Sequence, residues 1–153
     1  MADTHAGVTV RVFQSGDQVM VRRLVLEGLG EHFGFIDETM NPDIDDIAAS
    51  FAQGVFLVAL DGDEIVGTGG LLPVGDSRAS IVRMSTRASH RRRGVGGAVL
   101  SSLLEQARSL RYGSVVLATD AAWIDVIAFY DALGFRRLDG PPGAAVFAME
   151  LGD

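Results

Sequence analysis

Residues 91–97, with the sequence RRRGVGG, constrain this chain most, because they join a strand-like run to the longest helical pattern. After Val95 the apolar residues recur at the spacing of one helix face, namely Val99, Leu100, Leu103, Leu104, Ala107 and Leu110. Glycines at such a helix start leave backbone N–H groups uncovered, and the first turn adds unpaired donors and the positive end of the helix dipole. Three arginines upstream supply planar, permanently charged donors for phosphate oxygens. The stretch therefore predicts an anion-binding loop at a helix N-terminus.

Several ligand classes use a glycine-rich helix start, so the surrounding residues must discriminate among them. A Walker loop needs a lysine, and all 13 basic residues here are arginine, which excludes that class. A dinucleotide-binding fingerprint would place a small residue where Val99 stands, and polar residues 87–93 separate the strand from the glycines. Asp120, after the next strand, keeps a dinucleotide-binding oxidoreductase module open as a weaker alternative. Only 33 residues follow Asp120 for its second mononucleotide half.

Two motifs carry a family resemblance. Residues 84–97, MSTRASHRRRGVGG, resemble the acetyl-CoA-binding motif of the GNAT family of N-acetyltransferases, whose core is Gln/Arg-x-x-Gly-x-Gly/Ala after a strand. Arg91, Gly94 and Gly96 occupy its defining positions. Residues 128–135, AFYDALGF, resemble the family's Phe-Tyr-x-x-x-Gly-Phe signature. The motifs stand in the family's order, and the resemblance covers about residues 8–152, which implies an acetyl-CoA-dependent N-acetyltransferase.

The resemblance implies acetyl-CoA as the acyl donor, with no metal. Backbone amides of residues 92–97 would hold the diphosphate, and strand residues 84–86 would pair with the pantetheine arm. The donor-binding residues implied in this way are Met84, Ser85, Thr86, Arg91, Arg92, Arg93, Gly94, Val95, Gly96, Gly97, Trp123 and Phe129. Trp123 stands where the family usually has an asparagine, and Thr86 and Ala88 replace a common Val-x-Pro, so these contacts are expected to differ in detail.

The resemblance also suggests catalytic residues. Attack of an amine on a thioester needs no covalent enzyme nucleophile, but a positioned proton donor assists the departing thiolate. The tyrosine of the Phe-Tyr pair often has that role in the family, which implies it for Tyr130; the alternative is a core tyrosine beside Phe129. The group that deprotonates the acceptor is open, and the candidates, acting directly or through water, are Glu27, Glu31, His32 and Glu64.

Charge is distributed unevenly along the chain. Residues 24–77 carry eleven acidic residues and no arginine, whereas six arginines lie between residues 78 and 93. The acidic segment of this chain includes the region that forms the acceptor-side wall in the resembling family, so a cationic small-molecule or peptide amine is the expected acceptor. Helix dipoles, turns and solubility are the alternative explanation of these acids. The net charge of −7 argues against a nucleic-acid partner.

Composition limits the remaining classes. The chain has no cysteine and no lysine, which excludes disulfides, thiolate chemistry and Schiff bases. It has no apolar run of about 20 residues and no signal-like start, so a cytoplasmic protein without a membrane partner is expected. The family resemblance makes a homodimer an expectation. A non-catalytic acyl-CoA-binding or sensor domain is the main alternative to an enzyme.

The expected fold is one α/β (α+β) domain of 153 residues, with a flexible start over about residues 1–7. The expected sheet is mixed, mostly antiparallel and twisted, with about six to seven strands and helices on both faces, in the order β-α-α-β-β-β-α-β-α-β-β. Strands are predicted at 8–13, 55–60, 64–72, 78–86, 114–118, 135–138 and 145–151. Helices are predicted at 15–28, 41 to 50 or 53, 95–110 and 122–133, with an apolar loop at 30–42 and a turn at 73–76. The strand–helix–strand unit around residues 82 and 116 predicts parallel pairing there.

Overall fold

The computed structural model describes residues 3–5, 7–33 and 41–152, with side chains for residues 7–30 and 41–152. Its strands are Asp3–His5 (β1), Val8–Val12 (β2), Val55–Asp61 (β3), Glu64–Gly75 (β4), Arg78–Thr86 (β5), Ser114–Asp120 (β6), Arg136–Leu138 (β7) and Ala144–Glu150 (β8). Its helices are Gln18–Phe33 (α1), Ile47–Ser50 (α2), Val95–Ser109 (α3) and Ile124–Ala132 (α4). Single 3-10 turns cover Ser15–Asp17, Pro42–Ile44 and Ala88–His90.

The strands form one sheet in the order β1-β2-β3-β4-β5-β6-β8-β7. Neighbouring strands are antiparallel except β5 and β6, which pair in parallel from Arg78 opposite Ser114 to Ser80 opposite Val116. Helix α3 makes the crossover between these two strands, and a strand–helix–strand unit requires that direction. The predicted fold class, the order of the predicted elements and the parallel pair are confirmed; β1, at the edge of the sheet, is an additional strand.

Both faces of the sheet are covered. Helices α1 and α2 bury one face, in a cluster that includes Val21, Ile44 and Phe56, whereas α3 and α4 cover the other, in a cluster that includes Val99 and Phe147. Consecutive residues of β3 therefore go to opposite cores, Phe56 and Val58 to the α1 face and Leu57 and Ala59 to the α3 face. A strand buried on both sides has a continuous apolar sequence rather than an alternating one.

Three predicted boundaries were wrong. Helix α1 continues to Phe33, past the predicted end at Gly28, because its packed face outweighs the cost of its glycines. The predicted second helix is a 3-10 turn followed by one α turn, where the Asp46 side chain accepts a hydrogen bond from Ala49 N at 3.2 Å. The predicted turn at 73–76 belongs to β4 through Gly75, because that segment still pairs with β5. Residues 34–40 of the predicted apolar loop lie outside the described residues.

Candidate active site

A wedge opens in the middle of the sheet, between β5 and β6. Their parallel pairing ends at Ser80 opposite Val116. Beyond that point β6 continues along β8, with Leu117 opposite Phe147, while β5 continues along β4, with Ser85 opposite Thr68. The two strands therefore part at their carboxyl ends, where backbone groups of β5 can pair with a ligand instead of with a neighbouring strand.

A β-bulge in β5 accompanies this opening. The register between β4 and β5 shifts between Thr68 and Gly70, and Arg83 has a φ of 55°, in the left-handed region that a side chain rarely adopts. The buried hydroxyl of Thr68 donates to the carbonyl oxygen of Arg83 at 2.8 Å and satisfies this group inside the bulge. The guanidinium of Arg83 donates to Asp43 and Asn41, which ties the bulge to the 3-10 turn before α2.

The three residues after the bulge have different surroundings. A Cβ atom built on Gly69 would lie 2.7 Å from the sulfur of Met84, so Met84 packs toward α3. A Cβ atom on Gly28 of α1 would lie 3.8 Å from the Ser85 hydroxyl, so Ser85 points to the opposite face. The hydroxyl of Thr86 lies 3.6 Å from a Cβ built on Gly96, at the glycine loop. The predicted donor-binding strand thus leads directly into the predicted phosphate loop.

The glycine loop combines left-handed backbone conformations with the start of a helix. Arg92 and Gly94 both have positive φ angles, 63° and 84°, and Gly94 is the N-cap of α3. Among the bonds around the helix start, Ala98 N donates to Gly94 O at 3.0 Å, so the amides of residues 95–97 precede the helical ladder. A Cβ on Gly97 would meet no atom within 4 Å, so this residue borders open space. Phosphate oxygens fit such a site.

The side chains of this loop divide into two groups. Arg91, Arg92 and Arg93 are exposed, so their guanidinium groups can reach an anion on the surface. Val95 is buried in the α3 core, and only its backbone can take part in binding. Phe129 of α4 lies 3.4 Å from a Cβ built on Gly96, so the second sequence motif packs directly behind the first.

Tyr130 lies in an aromatic group between α4 and the sheet. Its ring centroid is 5.0 Å from that of Phe129, 5.6 Å from Phe135 and 5.7 Å from Phe147. Only 4% of the residue is exposed, and burial raises the pKa of its phenol to about 12. The hydroxyl is therefore protonated at neutral pH and able to donate a hydrogen bond.

A cavity of about 310 Å³ lies between α1 and the end of β5. It is lined by Leu24, Glu27, Gly28, Thr86, Arg87, Ala88 and Ser89. Glu27, one of the predicted acceptor-side residues, therefore faces it. Glu31 and His32 lie in the last turns of α1, but their side chains are outside the described residues. Glu64, the fourth candidate, pairs with Arg87 at 3.2 Å, and Arg87 itself lines the cavity.

Two predicted residues lie at the start of α4. Trp123 is the half-buried N-cap position of this helix. The carboxylate of Asp120 accepts a hydrogen bond from Ala122 N at 2.8 Å, so in the structure it stabilises the turn before α4. Asp120 had kept the dinucleotide-binding alternative open, and the turn contact accounts for this carboxylate without a nucleotide.

Sequence reasoning missed the bulge in β5 and several polar side chains. Arg83 and Thr68 were not predicted to matter, nor were Ser89, His90 and Asp61, whose side chains are joined by hydrogen bonds. Part of a signal was available, because glycines at 67, 69 and 70 inside a strand pattern mark a bulge or a close backbone approach. The partners of these side chains, such as Asp43 for Arg83, have no local signature.

Comparisons with known proteins identify the family of this chain. The model of the acetyltransferase (GNAT) family matches residues 23–135. A probable N-acetyltransferase family 8 member 5 from Mus musculus is 33% identical over 110 residues, which cover 67% of this chain and 48% of that protein. The chain thus spans about half the length of the curated relatives it matches.

Solved structures share the fold. A GNAT-family acetyltransferase from Staphylococcus aureus superposes with a TM-score of 0.86 at 20% identity, covering 94% of this chain and 99% of that one. The PaiA N-acetyltransferase of Thermoplasma acidophilum, solved in complex with coenzyme A, gives a TM-score of 0.82 at 13% identity, covering 94% and 98%. With the family model matching well over half of its residues, the chain belongs to the GNAT family of acetyltransferases.

Proposed function

We propose that this chain transfers an acetyl group from acetyl-CoA to the primary amine of a cationic acceptor, either a small molecule or a peptide. The observation that carries the proposal is the continuity of the opened strand β5 with the glycine loop, because the two together offer strand pairing for an amide-containing arm and amides for a phosphate. The coenzyme A complex of the Thermoplasma relative supports the same class of donor.

The donor fits the residues present. The amides of residues 95–97 would hold the diphosphate, and the exposed side chains of Arg91, Arg92 and Arg93 would supply charge around it. The segment from Met84 to Thr86 would pair with the pantetheine arm. Phe129 supports this loop from behind, and Trp123 lies at the start of the same helix.

Two protein groups would assist direct attack of the amine on the thioester. A backbone N–H of the bulged segment near Ser85 would polarise the carbonyl. The Tyr130 hydroxyl would donate a hydrogen bond to the departing thiolate. Its pKa of about 12 lies about 3.5 units above that of an ordinary thiol, so hydrogen-bond donation fits the buried phenol better than complete proton transfer.

The acceptor would enter the cavity between α1 and β5. Glu27 lines it, and a carboxylate there attracts an ammonium group. Much of the acidic segment has other partners: Asp43 pairs with Arg83, Asp45 with Arg22 and Glu64 with Arg87. The proposed cation preference therefore depends on Glu27 more than on the total acidity of residues 24–77.

Thermal unfolding with acetyl-CoA, CoA or NAD, followed by detection of released thiol with a set of amines, tests the proposal. A ligand at about a hundred times its dissociation constant adds about 2.7 kcal/mol, which should raise the midpoint by roughly 5 to 10 °C. We expect a shift with both CoA species and thiol release with an amine. A shift without thiol release from any amine would favour an acyl-CoA-binding domain, and no shift would contradict the donor site.

A further inference from the structure

Three polar side chains form a hydrogen-bonded row beside the acceptor cavity. The Ser89 hydroxyl lies 2.8 Å from Nδ1 of His90, and Nε2 of the same ring lies 2.8 Å from a carboxylate oxygen of Asp61. Ser89 and His90 belong to the 3-10 turn after β5, whereas Asp61 ends β3 on a different hairpin. Ser89 also lines the cavity that contains Glu27.

The partners determine where the protons lie. An ionised carboxylate can only accept, so Nε2 of His90 must donate to Asp61. In a neutral ring Nδ1 is then an acceptor, and the Ser89 hydroxyl must donate to it. The remaining lone pairs of the hydroxyl oxygen are therefore available to a ligand. A hydroxyl, a base and a group that orients the base, within hydrogen-bond distance of one another, are the arrangement that activates a hydroxyl in enzymes.

We propose that Ser89 and His90 remove the proton from the acceptor ammonium, with Asp61 holding the imidazole in the required tautomer. This inference rests on the proposed acetyl transfer. One N–H bond of the ammonium breaks and its proton passes to the Ser89 oxygen, while the hydroxyl proton of Ser89 passes to Nδ1 of His90. The nitrogen keeps its electron pair for attack on the thioester carbon, and the imidazolium later releases its proton to water.

The position of the row suits this step. Gly28 lines the cavity and also lies beside the Ser85 hydroxyl, so the cavity and Ser85 share the α1 face of the sheet. The backbone near Ser85 is the proposed contact of the thioester. Glu27 lines the same cavity and would attract the ammonium to it. The His90 side chain is only 12% exposed, which limits competition from water for its hydrogen bonds.

Acidic and basic residues both flank His90. Asp61 faces it from the hairpin, where Asp63 and Glu64 add two further carboxylates. Arg87, on the same turn as His90, is paired with Glu64. The arginines at 91–93 follow His90 along the chain but are exposed, so water screens their charge.

A first experiment determines the tautomer of the His90 imidazole and does not require enzyme activity. Long-range proton–nitrogen NMR spectra distinguish the two neutral imidazole forms, and His90→Gln identifies the signals of His90 among the three histidines. We expect the Nε2–H form in the wild-type chain and the loss of this preference in Asp61→Asn. A neutral ring protonated at Nδ1 would overturn the relay, because it could not accept the hydroxyl proton of Ser89.

A second experiment measures kcat, KM and their pH dependence with acetyl-CoA and two probe amines, spermidine and a peptide with a free N-terminus. Ser89→Ala and His90→Gln should lower kcat/KM by about 100-fold at neutral pH and extend its fall to higher pH, because only the neutral amine could then attack, with the acetyl-CoA-induced midpoint shift unchanged. Ser89→Thr, which keeps a hydroxyl, should recover much of the rate. Ser101→Ala, on the exposed face of α3, is the control and should behave as wild type.

The outcomes separate the two proposals. Wild-type rates and an unchanged pH profile in Ser89→Ala would overturn the relay and leave acetyl transfer intact. Loss of the acetyl-CoA-induced shift in Ser89→Ala and His90→Gln would also overturn it, because the row would then only support the glycine loop. Donor binding by the wild type without transfer to any amine would contradict the proposed function, and the relay with it.

Discussion

Arg83 and Asp43 form a two-point ion pair across forty residues of sequence, with Nε to Oδ2 at 2.8 Å and Nη2 to Oδ1 at 2.6 Å. The pair connects the bulge that opens the central wedge to the turn before α2. Because Arg83 has a left-handed backbone conformation, this contact holds a strained residue at the site where the donor is proposed to bind.

Asp43→Asn should lower the free energy of unfolding at pH 7 by about 1 to 2 kcal/mol, because it replaces charge-assisted hydrogen bonds at a half-exposed site. The side-chain hydrogen bonds from Arg83 hold the pKa of Asp43 below its ordinary value. The contribution of this ion pair to the free energy of unfolding is therefore fully present when the pH is above the ordinary pKa of an aspartate, and it is lost as the pH falls through the lowered pKa. Denaturant unfolding at pH 7 and at acidic pH measures it. Asp45→Asn, in the more exposed pair with Arg22, is the control and should cost less than about 0.5 kcal/mol.

Asp17→Asn should cost more, about 2 to 3 kcal/mol at neutral pH. This buried carboxylate accepts hydrogen bonds from both terminal nitrogens of Arg11, at 2.7 and 3.0 Å, and from Gln14 N at 2.8 Å. The hydrogen bonds from Arg11 lower the pKa of Asp17. The difference in the free energy of unfolding between wild type and Asp17→Asn should therefore disappear as the pH falls through this lowered pKa. If Asp17→Asn and Asp45→Asn lowered the free energy of unfolding equally, burial would not explain the larger effect expected at Asp17.

Tyr130→Phe should retain acetyl-CoA affinity and lower kcat by about 10- to 100-fold, because it removes the proposed donor to the thiolate while keeping the aromatic contacts. Steady-state kinetics and the donor-induced midpoint shift measure the two effects separately. Full activity in this variant would remove the proposed role of Tyr130 and leave its packing role.

The same substitution predicts a change in alkaline stability. Burial raises the pKa of Tyr130 to about 12, from an ordinary value of 10.0. The neutral phenol therefore makes its full contribution to the free energy of unfolding below about pH 10. This contribution, about 2 to 3 kcal/mol, is lost as the pH rises toward 12. Denaturant unfolding between pH 8 and 11 should show a steeper loss in wild type than in Tyr130→Phe. Parallel curves would contradict the buried position of the phenol.

Gly96→Glu should abolish the acetyl-CoA-induced midpoint shift, whereas Gly96→Ala should keep most of it. A Cβ at this position would lie 3.4 Å from Phe129 and 3.6 Å from Thr86, which are ordinary contacts, so the alanine variant should fold. The glutamate adds a negative charge beside the helix amides and repels a phosphate. If acetyl-CoA raised the unfolding midpoint equally in Gly96→Glu and Gly96→Ala, its phosphates would not bind at this helix start.

How far the sequence predicts this protein depends on the range of each interaction. Helix α3 and the loop before it were predicted almost to the residue, because apolar spacing and glycines act within a few positions of the chain. Helix α1 was predicted too short, since its last turns run through glycines that local propensity disfavours. The Ser89, His90 and Asp61 row was missed because residues 29 apart carry no shared pattern.

The sequence by itself determined the order of the predicted elements, the parallel pair around α3 and the two family motifs, because each depends on short-range periodicity and on residue types at fixed spacing. Only the tertiary structure decided which side chains meet: Arg83 with Asp43 at the bulge, His90 with Asp61 beside the cavity, and Tyr130 with its aromatic neighbours. The physical reason is that side-chain pairing and burial arise from elements far apart in the chain, whose approach is determined by the packing of the whole sheet between its helices.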